Sequence, residues 1–496
     1  MEAPVTAIFM EPLVPFAIEV PQRGSRQIIR ALHQQFQRAI LEGRLHPGLR
    51  LPSTRGLASQ LGVSRNAVLA VYDMLLAQGY LTAKGGAGTY VATSLRSLPK
   101  HRGARSRGGD PRIVPAWHAA KASVDGAPNV RCDFRVGIPD VRQFPAEVWR
   151  RLWVRELRKL SRASACYGEP EGSPALRQAI AAHVSFARAV SCSPESIIVT
   201  SGAQQAFDLI AKVLVSPKQT VVAVEDPGYP PARKPFEAAG AHVVGVPVDG
   251  EGLVVDELPA RARVIVTTPS HQFPLGMALS LERRLALLEF ARDTGAVIVE
   301  DDYDGEFRYL GRPLDSLQTL DRSQSVFYVG TFSKSLSPDL RLGFVVAPEW
   351  ARDAIARAKR ASDWNCPTLA QEVLANFISG GHLARHLRRM RRVYGERRRL
   401  LLGALARYRA SDFKIYPSET GIHIAVGLPR RVPAEQLALR AAECGIAVQP
   451  LGPYGLGHRP AGIAFGLGGI VPEVIDGAVL RLAELASRLR AGTQRY

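Results

Sequence analysis

The stretch SVFYVGTFSKSLSPDLRLGFVVAP, Ser325–Pro348, decides how the chain is read. An apolar, β-branched run, Val326–Gly330, gives way to a loop of hydroxyls (Thr331, Ser333, Ser335, Ser337) around a single amine, Lys334. Pro338 and Arg341 follow, then a second strand, Gly343–Ala347. A lysine among small hydroxyls at the end of a buried strand is not an ordinary solvated lysine. Lysine attacks carbonyl groups when its surroundings lower its pKa. Hydroxyls with an arginine are the donors a phosphate needs. The plain alternative is a surface loop of solvated Lys and Ser, so the rest of the chain has to decide.

From Arg131 onward, short β-branched segments alternate with helical text such as Leu281–Ala291. Further strands are predicted at Ile197–Thr200, Val221–Glu225, Val264–Thr267 and Val297–Glu300. That alternation predicts an α/β domain built on a mostly parallel sheet. Ligands of such sheets sit beyond the carboxyl ends of the strands. Polar clusters follow five of the strands, at Ser201–Gln204, Asp226–Tyr229, Thr268–His271, Asp301–Tyr303 and Thr331–Lys334.

Each cluster has a physical task. Gly202, Ala203 and Gln204 lead into a helix whose free N–H groups suit a phosphate. Asp301 follows the apolar run AVIVE, so its carboxylate needs a partner. A protonated pyridine nitrogen is such a partner, and it makes the ring an electron sink; a structural arginine is the alternative. Tyr303 is placed to bond a ring oxygen. Tyr229 offers a face for stacking, while Thr331, Ser333 and Arg341 would balance phosphate charge. Lysine, phosphate cup and ring partner together point to pyridoxal 5'-phosphate.

The first ninety residues follow a different pattern. Ser25 is placed to cap a helix with Ile28, Ile29, Leu32, Phe36, Ala39 and Ile40 at helical spacing, and Gly43 ends it. A short helix opens near Arg55; a turn at Gly62 and Val63 leads to Ser64, which caps a second one that Gly79 stops. Two short helices across a glycine turn make a helix-turn-helix. A hairpin around KGGAG, with Gly86 at its tip, reads as a wing. Ser64, Arg65 and Asn66 stand where such a unit meets base edges. Arginine suits guanine and asparagine suits adenine, while Arg55 would hold a phosphate. A protein-binding winged helix is the duller reading.

Charge agrees with this division. The 496 residues carry a net +19, and residues 1–115 hold 15 Lys or Arg against 6 Asp or Glu, an excess of +9. A polyanionic partner is expected there. Residues 94–129 open with SLRSLPKHRGARSRGGD, which holds too little apolar surface to fold and reads as a basic tether. The five cysteines form no CxxC pair, against both a disulfide framework and a zinc site. No metal is expected, and a reducing cytoplasm is. No basic residue precedes Arg23, unlike a secretory leader, and no apolar run is long enough for a membrane helix.

TFSK at Thr331–Lys334, with Arg341, resembles the cofactor-lysine motif of fold-type I aminotransferases, and residues 21–92 resemble the GntR-type winged helix-turn-helix. Their fusion resembles the MocR-type transcription regulators. The resemblance implies a winged helix over 21–93, a linker over 94–129, and an aminotransferase-like domain over 130–496 whose small α+β subdomain is largely 400–496. It implies Lys334 as the Schiff-base lysine, Asp301 as pyridine partner, Tyr303 as ring-oxygen ligand and Tyr229 as stacking aromatic. The phosphate loop would be Gly202–Gln204, with Arg341 as phosphate arginine. Arg55, Ser64, Arg65, Asn66 and Gly86 match DNA-contact positions. Tyr167 matches the tyrosine that reaches a neighbouring subunit's cofactor, which implies a homodimer on DNA with repeated half-sites.

Two departures bear on function. His271 stands where aminotransferases carry asparagine, in a loop reading HQFPLG, and is expected to replace it as a cofactor-binding residue by packing on or bonding the ring. Ala464 stands where they carry the arginine that clamps a substrate carboxylate, and Arg459 is out of register. Losing the clamp removes the positioning that makes transamination efficient. The expected function is therefore a DNA-binding regulator sensing a small amine, an amino acid or the vitamer itself. A working aminotransferase with a helical appendage is the alternative, and a residual half-reaction stays open. The Arg-rich text His382–Leu402 reads as a solvated or interdomain helix, and Pro472–Leu489 as a closing helix.

Overall fold

The computed structural model describes residues 14–21, 28–84, 88–93, 112, 130–162, 166–309, 311, 315–408, 413–429, 431–457 and 459–492. They fall into two units, divided between Ile113 and Val114. Gly86 and Ser25 lie outside the described residues, as does nearly all of the stretch read as a tether.

The smaller unit is three helices and a hairpin. Helices span Ile28–Leu41, Thr54–Leu61 and Arg65–Ala77, and strands Leu81–Lys84 and Gly88–Val91 pair antiparallel. Helical spacing puts Leu32, Phe36 and Ile40 on one face, against Val68, Val71, Tyr72 and Leu75 of the third helix. The Tyr72 hydroxyl donates to the Pro52 carbonyl at 3.0 Å, giving that buried ring a partner for its polar end. Both short helices start on serine caps: Ser53 Oγ accepts from Gly56 N at 3.0 Å, and Ser64 Oγ from Ala67 N at 3.2 Å.

The larger unit is organised by an eight-stranded sheet. Its order is Ile197–Thr200, Gly343–Val346, Val326–Thr331, Val297–Asp302, Ala262–Thr267, Val221–Asp226, His242–Asp249 and Gly252–Leu253. Gly343–Val346 runs antiparallel to both neighbours, and the last two strands form a hairpin. The other pairs are parallel. The central parallel strands, Val326–Thr331, Val297–Asp302, Ala262–Thr267 and Val221–Asp226, are largely buried and rich in Val and Ile, as covered sheets are. The strand ends extend beyond the expected ones, so Asp301 and Thr331 are the last residues but one and the last residue of their strands rather than loop residues.

A second sheet orders Lys414–Ile415, His423–Gly427, Gly462–Gly466 and Gln449–Pro450. The segment after Val130 docks on it: Gly466 N donates to the Phe134 carbonyl at 2.7 Å, and Phe134 meets Phe465 edge-on at 5.2 Å. The docking carries Gly137 into the cavity described below. The Arg-rich helix spans His382–Arg407, and it is not simply solvated. Arg397 is buried, donating to Asp140 at 2.6 Å and to the carbonyls of Leu467 and Gly468. Arg391 donates to the Glu306 carbonyl at 2.6 Å. Arginine suits such work because its planar fork satisfies several acceptors at once. The closing helix spans Pro472–Gly492.

Candidate functional site

A cavity of about 420 Å³ opens at the carboxyl ends of the sheet strands. Lys334, Asp301, Tyr303 and Tyr229 line it, together with Ala203, Gln204, Thr331, Ser333 and Arg341. Nine residues singled out in sequence, from four separate stretches of the chain, thus share one space.

Lys334 Nζ donates to the Gly137 carbonyl at 2.7 Å. Burial holds its amine below the ordinary lysine value; Asp304 and Asp301 oppose that, and Arg341 adds to it. Asp301 is 3% exposed, and its Oδ1 has no hydrogen-bond partner among the described residues. Burial pushes its carboxyl up to about 8, with Asp302 and Asp304 adding and Lys334 opposing. A buried carboxylate oxygen without a donor is costly, and Asp301 lines the cavity that Lys334 shares.

At the opposite end, Gly202 caps the helix Ala203–Leu214 with φ of 80° and without a side-chain cap. That left-handed backbone favours glycine. A Cβ there would lie 3.2 Å from the Arg341 guanidinium, which donates to the Ser201 carbonyl at 2.7 Å. Bare helix N–H groups, an arginine and the Thr331–Ser333 hydroxyl pair, 3.1 Å apart, surround this corner. Such a corner attracts a phosphate.

His271 does not line the cavity; it stands behind Tyr303. Its Nδ1 lies 3.0 Å from the Tyr303 hydroxyl and 3.0 Å from Asp304, and its Nε2 3.2 Å from Ser418 Oγ. Tyr303 also donates to the His271 carbonyl at 3.0 Å. Gly421, with φ of 86°, leaves room for the imidazole where a Cβ would collide with it. Tyr229 meets Phe273 edge-on at 5.0 Å, and burial pushes its phenol up to about 12. Tyr167 is elsewhere: it is 81% exposed and stacks on Trp364 at 5.1 Å.

Sequence reasoning missed Gly137, Gln449 and Tyr454 in the lining, and Asp304 and Ser418 behind it. Asp304 carried a signal, standing one residue beyond Tyr303; the others lie far along the chain in unremarkable text. On the smaller unit, Arg55, Ser64, Arg65 and Asn66 are all exposed. Ser64 spends its hydroxyl on the cap, which leaves Arg65 and Asn66 as the free tip.

Residues 28–91 match the family of bacterial regulatory proteins of the gntR type, and residues 133–463 match aminotransferase class I and II. The chain is 37% identical to the probable rhizopine catabolism regulatory protein MocR of Rhizobium meliloti, over 92% of this chain and 94% of that one. The chain belongs to the MocR-type GntR regulators. Another MocR-type relative, the pyridoxine biosynthesis transcriptional regulator PdxR of Corynebacterium glutamicum, is 31% identical over 92% of this chain and 95% of its own. The larger unit is similar to the kynurenine aminotransferase of Pyrococcus horikoshii, crystallised in complex with PMP. That likeness has a TM-score of 0.67 at 30% identity, covering 73% of this chain and 91% of that one. This MocR-type regulator thus joins a DNA-binding winged helix to a fold whose family depends on pyridoxal phosphate. No helix among the described residues is long and apolar enough to cross a membrane.

Proposed function

We propose that this regulator holds pyridoxal 5'-phosphate covalently at Lys334 and uses it to sense a small amine, reporting occupancy to DNA bound by a homodimer of winged helices. The observation that carries the reading is the pairing, in one cavity, of a desolvated lysine with an unpartnered buried carboxylate. The cofactor fits both: Lys334 supplies the amine, and Asp301 supplies the acceptor that a pyridinium N–H requires. Gly202, Ala203, Gln204, Thr331, Ser333 and Arg341 would hold the phosphate. When bound, the cofactor supplies an electrophilic carbon that combines reversibly with amines.

The chain's own residues set what that carbon meets. Burial holds the Lys334 amine below its usual pKa, which favours the neutral, nucleophilic form relative to a solvated lysine. Tyr303 would bond the ring oxygen, with His271 and Asp304 fixing the phenol behind it. Tyr229, in the cavity lining, would cover one face of the ring. Tyr167, exposed on its own subunit, is free to enter a neighbour's site. A ligand that prefers one arrangement of the two heads over another shifts their populations by its differential affinity alone. The rhizopine and pyridoxine names of the relatives support a small nitrogenous signal. Transamination is the second reading, and Ala464 in place of a clamp arginine counts against it.

The test uses the full chain and a DNA site selected by it. Amines should change the affinity of the cofactor-loaded protein for that site, and Lys334→Ala should bind the same DNA without responding. Rapid amino-acid turnover with a keto acid, and no selective DNA retention, would favour the enzyme reading.

A further inference from the structure

Beside the cavity lies a second buried carboxylate that the proposed chemistry leaves without a task. Glu225, the last residue but one of the strand Val221–Asp226, is 4% exposed. Its Oε1 accepts from Thr267 Oγ1 at 2.6 Å and from Thr268 N at 2.9 Å. Its Oε2 accepts from Thr268 Oγ1 at 2.6 Å and from Gln272 Nε2 at 3.1 Å. Thr268 Oγ1 itself accepts from Phe273 N at 3.0 Å, so its own proton is the one offered to Glu225. Four donors on two oxygens fill an ionised carboxylate and leave an added proton no acceptor. Burial pushes this carboxyl up, and the four bonds oppose that.

The sheet brings Glu225 close to Asp301. Their strands, Val221–Asp226 and Val297–Asp302, both pair with Ala262–Thr267, which delivers the two threonines between them. Glu225 and Asp301 line one chamber of about 20 Å³, room for about one water. Asp301 and Tyr229 also line the cavity, whereas Glu225 does not, so Asp301 borders both spaces at once. Arg233 lines the chamber too, but it pairs with Glu237 at 3.4 Å, and Glu225 has no ion-pair partner among the described residues. An anion beside Asp301 makes a proton held there harder to lose, because like charges disfavour the doubly ionised state. Glu225 is among the acids that raise Asp301.

We infer that Glu225 is a positioning residue for the cofactor's ring: acting through Asp301, it is the second anion that keeps a proton on the ring nitrogen. The inference rests on the proposed reading that pyridoxal 5'-phosphate binds at Lys334, and it names what makes Asp301 selective for a nitrogen-bearing ring. A merely structural Glu225, pinning the loops at Thr268 and Gln272, would serve any ring alike.

Two probes separate these roles: pyridoxal 5'-phosphate and its 1-deaza analogue, in which C–H replaces the ring nitrogen while aldehyde and phosphate remain. Each is titrated into the cofactor-free full chain at neutral pH, read by the bound chromophore and by tryptophan fluorescence. Glu225→Gln should weaken pyridoxal 5'-phosphate about tenfold and leave the analogue within about twofold of the parent. Thr267→Val removes one of the bonds that keep Glu225 ionised and should lower the same ratio about threefold. That variant decides the matter should the amide variant not fold. Equal losses for both probes, or an unchanged ratio in the variant that folds, overturns the inference. A parent chain that forms no chromophore with either probe removes the underlying reading, and the inference with it.

Discussion

At the tip of the winged helix, Arg55, Arg65 and Asn66 stand in solvent, whereas in the cavity Asp301 is 3% exposed and lacks a donor for Oδ1 among the described residues. The exposed groups cost the fold almost nothing, so they are free to bind and release a polyanion as salt dictates. The buried groups are held at a cost that only a complementary ligand offsets. One region should therefore respond to ionic strength with little change in stability. The other should respond to pH and ligand through stability itself.

The sharpest break in that contrast would come from Asp301→Asn. Removing the carboxylate should weaken cofactor binding by about 3 kcal/mol, as losing one member of a buried pair does, seen by fluorescence titration. Cofactor-free stability should move the other way. With its pKa near 8 in the fold and about 3.9 unfolded, Asp301 favours folding below about pH 4 and loses that contribution as pH rises toward 8. Asp301→Asn should thus melt higher than the parent at pH 8, with the gain fading as the pH falls; a constant difference would contradict the assignment.

Next in size is the phosphate corner. Gly202→Ala forces a side chain onto a φ of 80° and into the Arg341 guanidinium, at a cost of about 2 kcal/mol. Pyridoxal 5'-phosphate affinity should fall while that for phosphate-free pyridoxal falls less, measured side by side. At the head, Arg65→Ala should cost about 1–3 kcal/mol on a selected DNA site and relax its sequence preference. Arg55→Ala should weaken all DNA alike and lower the salt slope by about 1. The cofactor chromophore should remain in both. The smallest effect belongs to Ser64→Ala, which removes a helix cap worth about 1 kcal/mol and should lower the melting point of the head alone.

The same contrast governs how much was legible in the sequence. Strands with continuous Val and Ile runs declared themselves, and their boundaries fell within about two residues of the observed ones, as such boundaries do. The strand His242–Asp249 was missed because Gly245 and Pro247 break its apolar pattern. Polar residues at strand ends were readable because the α/β topology brings those ends to one edge. Gly137, Gln449 and Tyr454 were not, since they reach the cavity through the docking of distant segments. Helical periodicity announced the arginines of His382–Arg407 but not which would turn inward. Arg397 finds Asp140, 257 residues away, and nothing local encodes that meeting.

The most direct measurement is borohydride reduction of the full chain after incubation with pyridoxal 5'-phosphate, followed by peptide mass mapping. The account predicts one pyridoxyl group, carried by the peptide containing Lys334 and absent from Lys334→Ala. A protein that traps no adduct, or carries it on the exposed Lys234 instead, would contradict it.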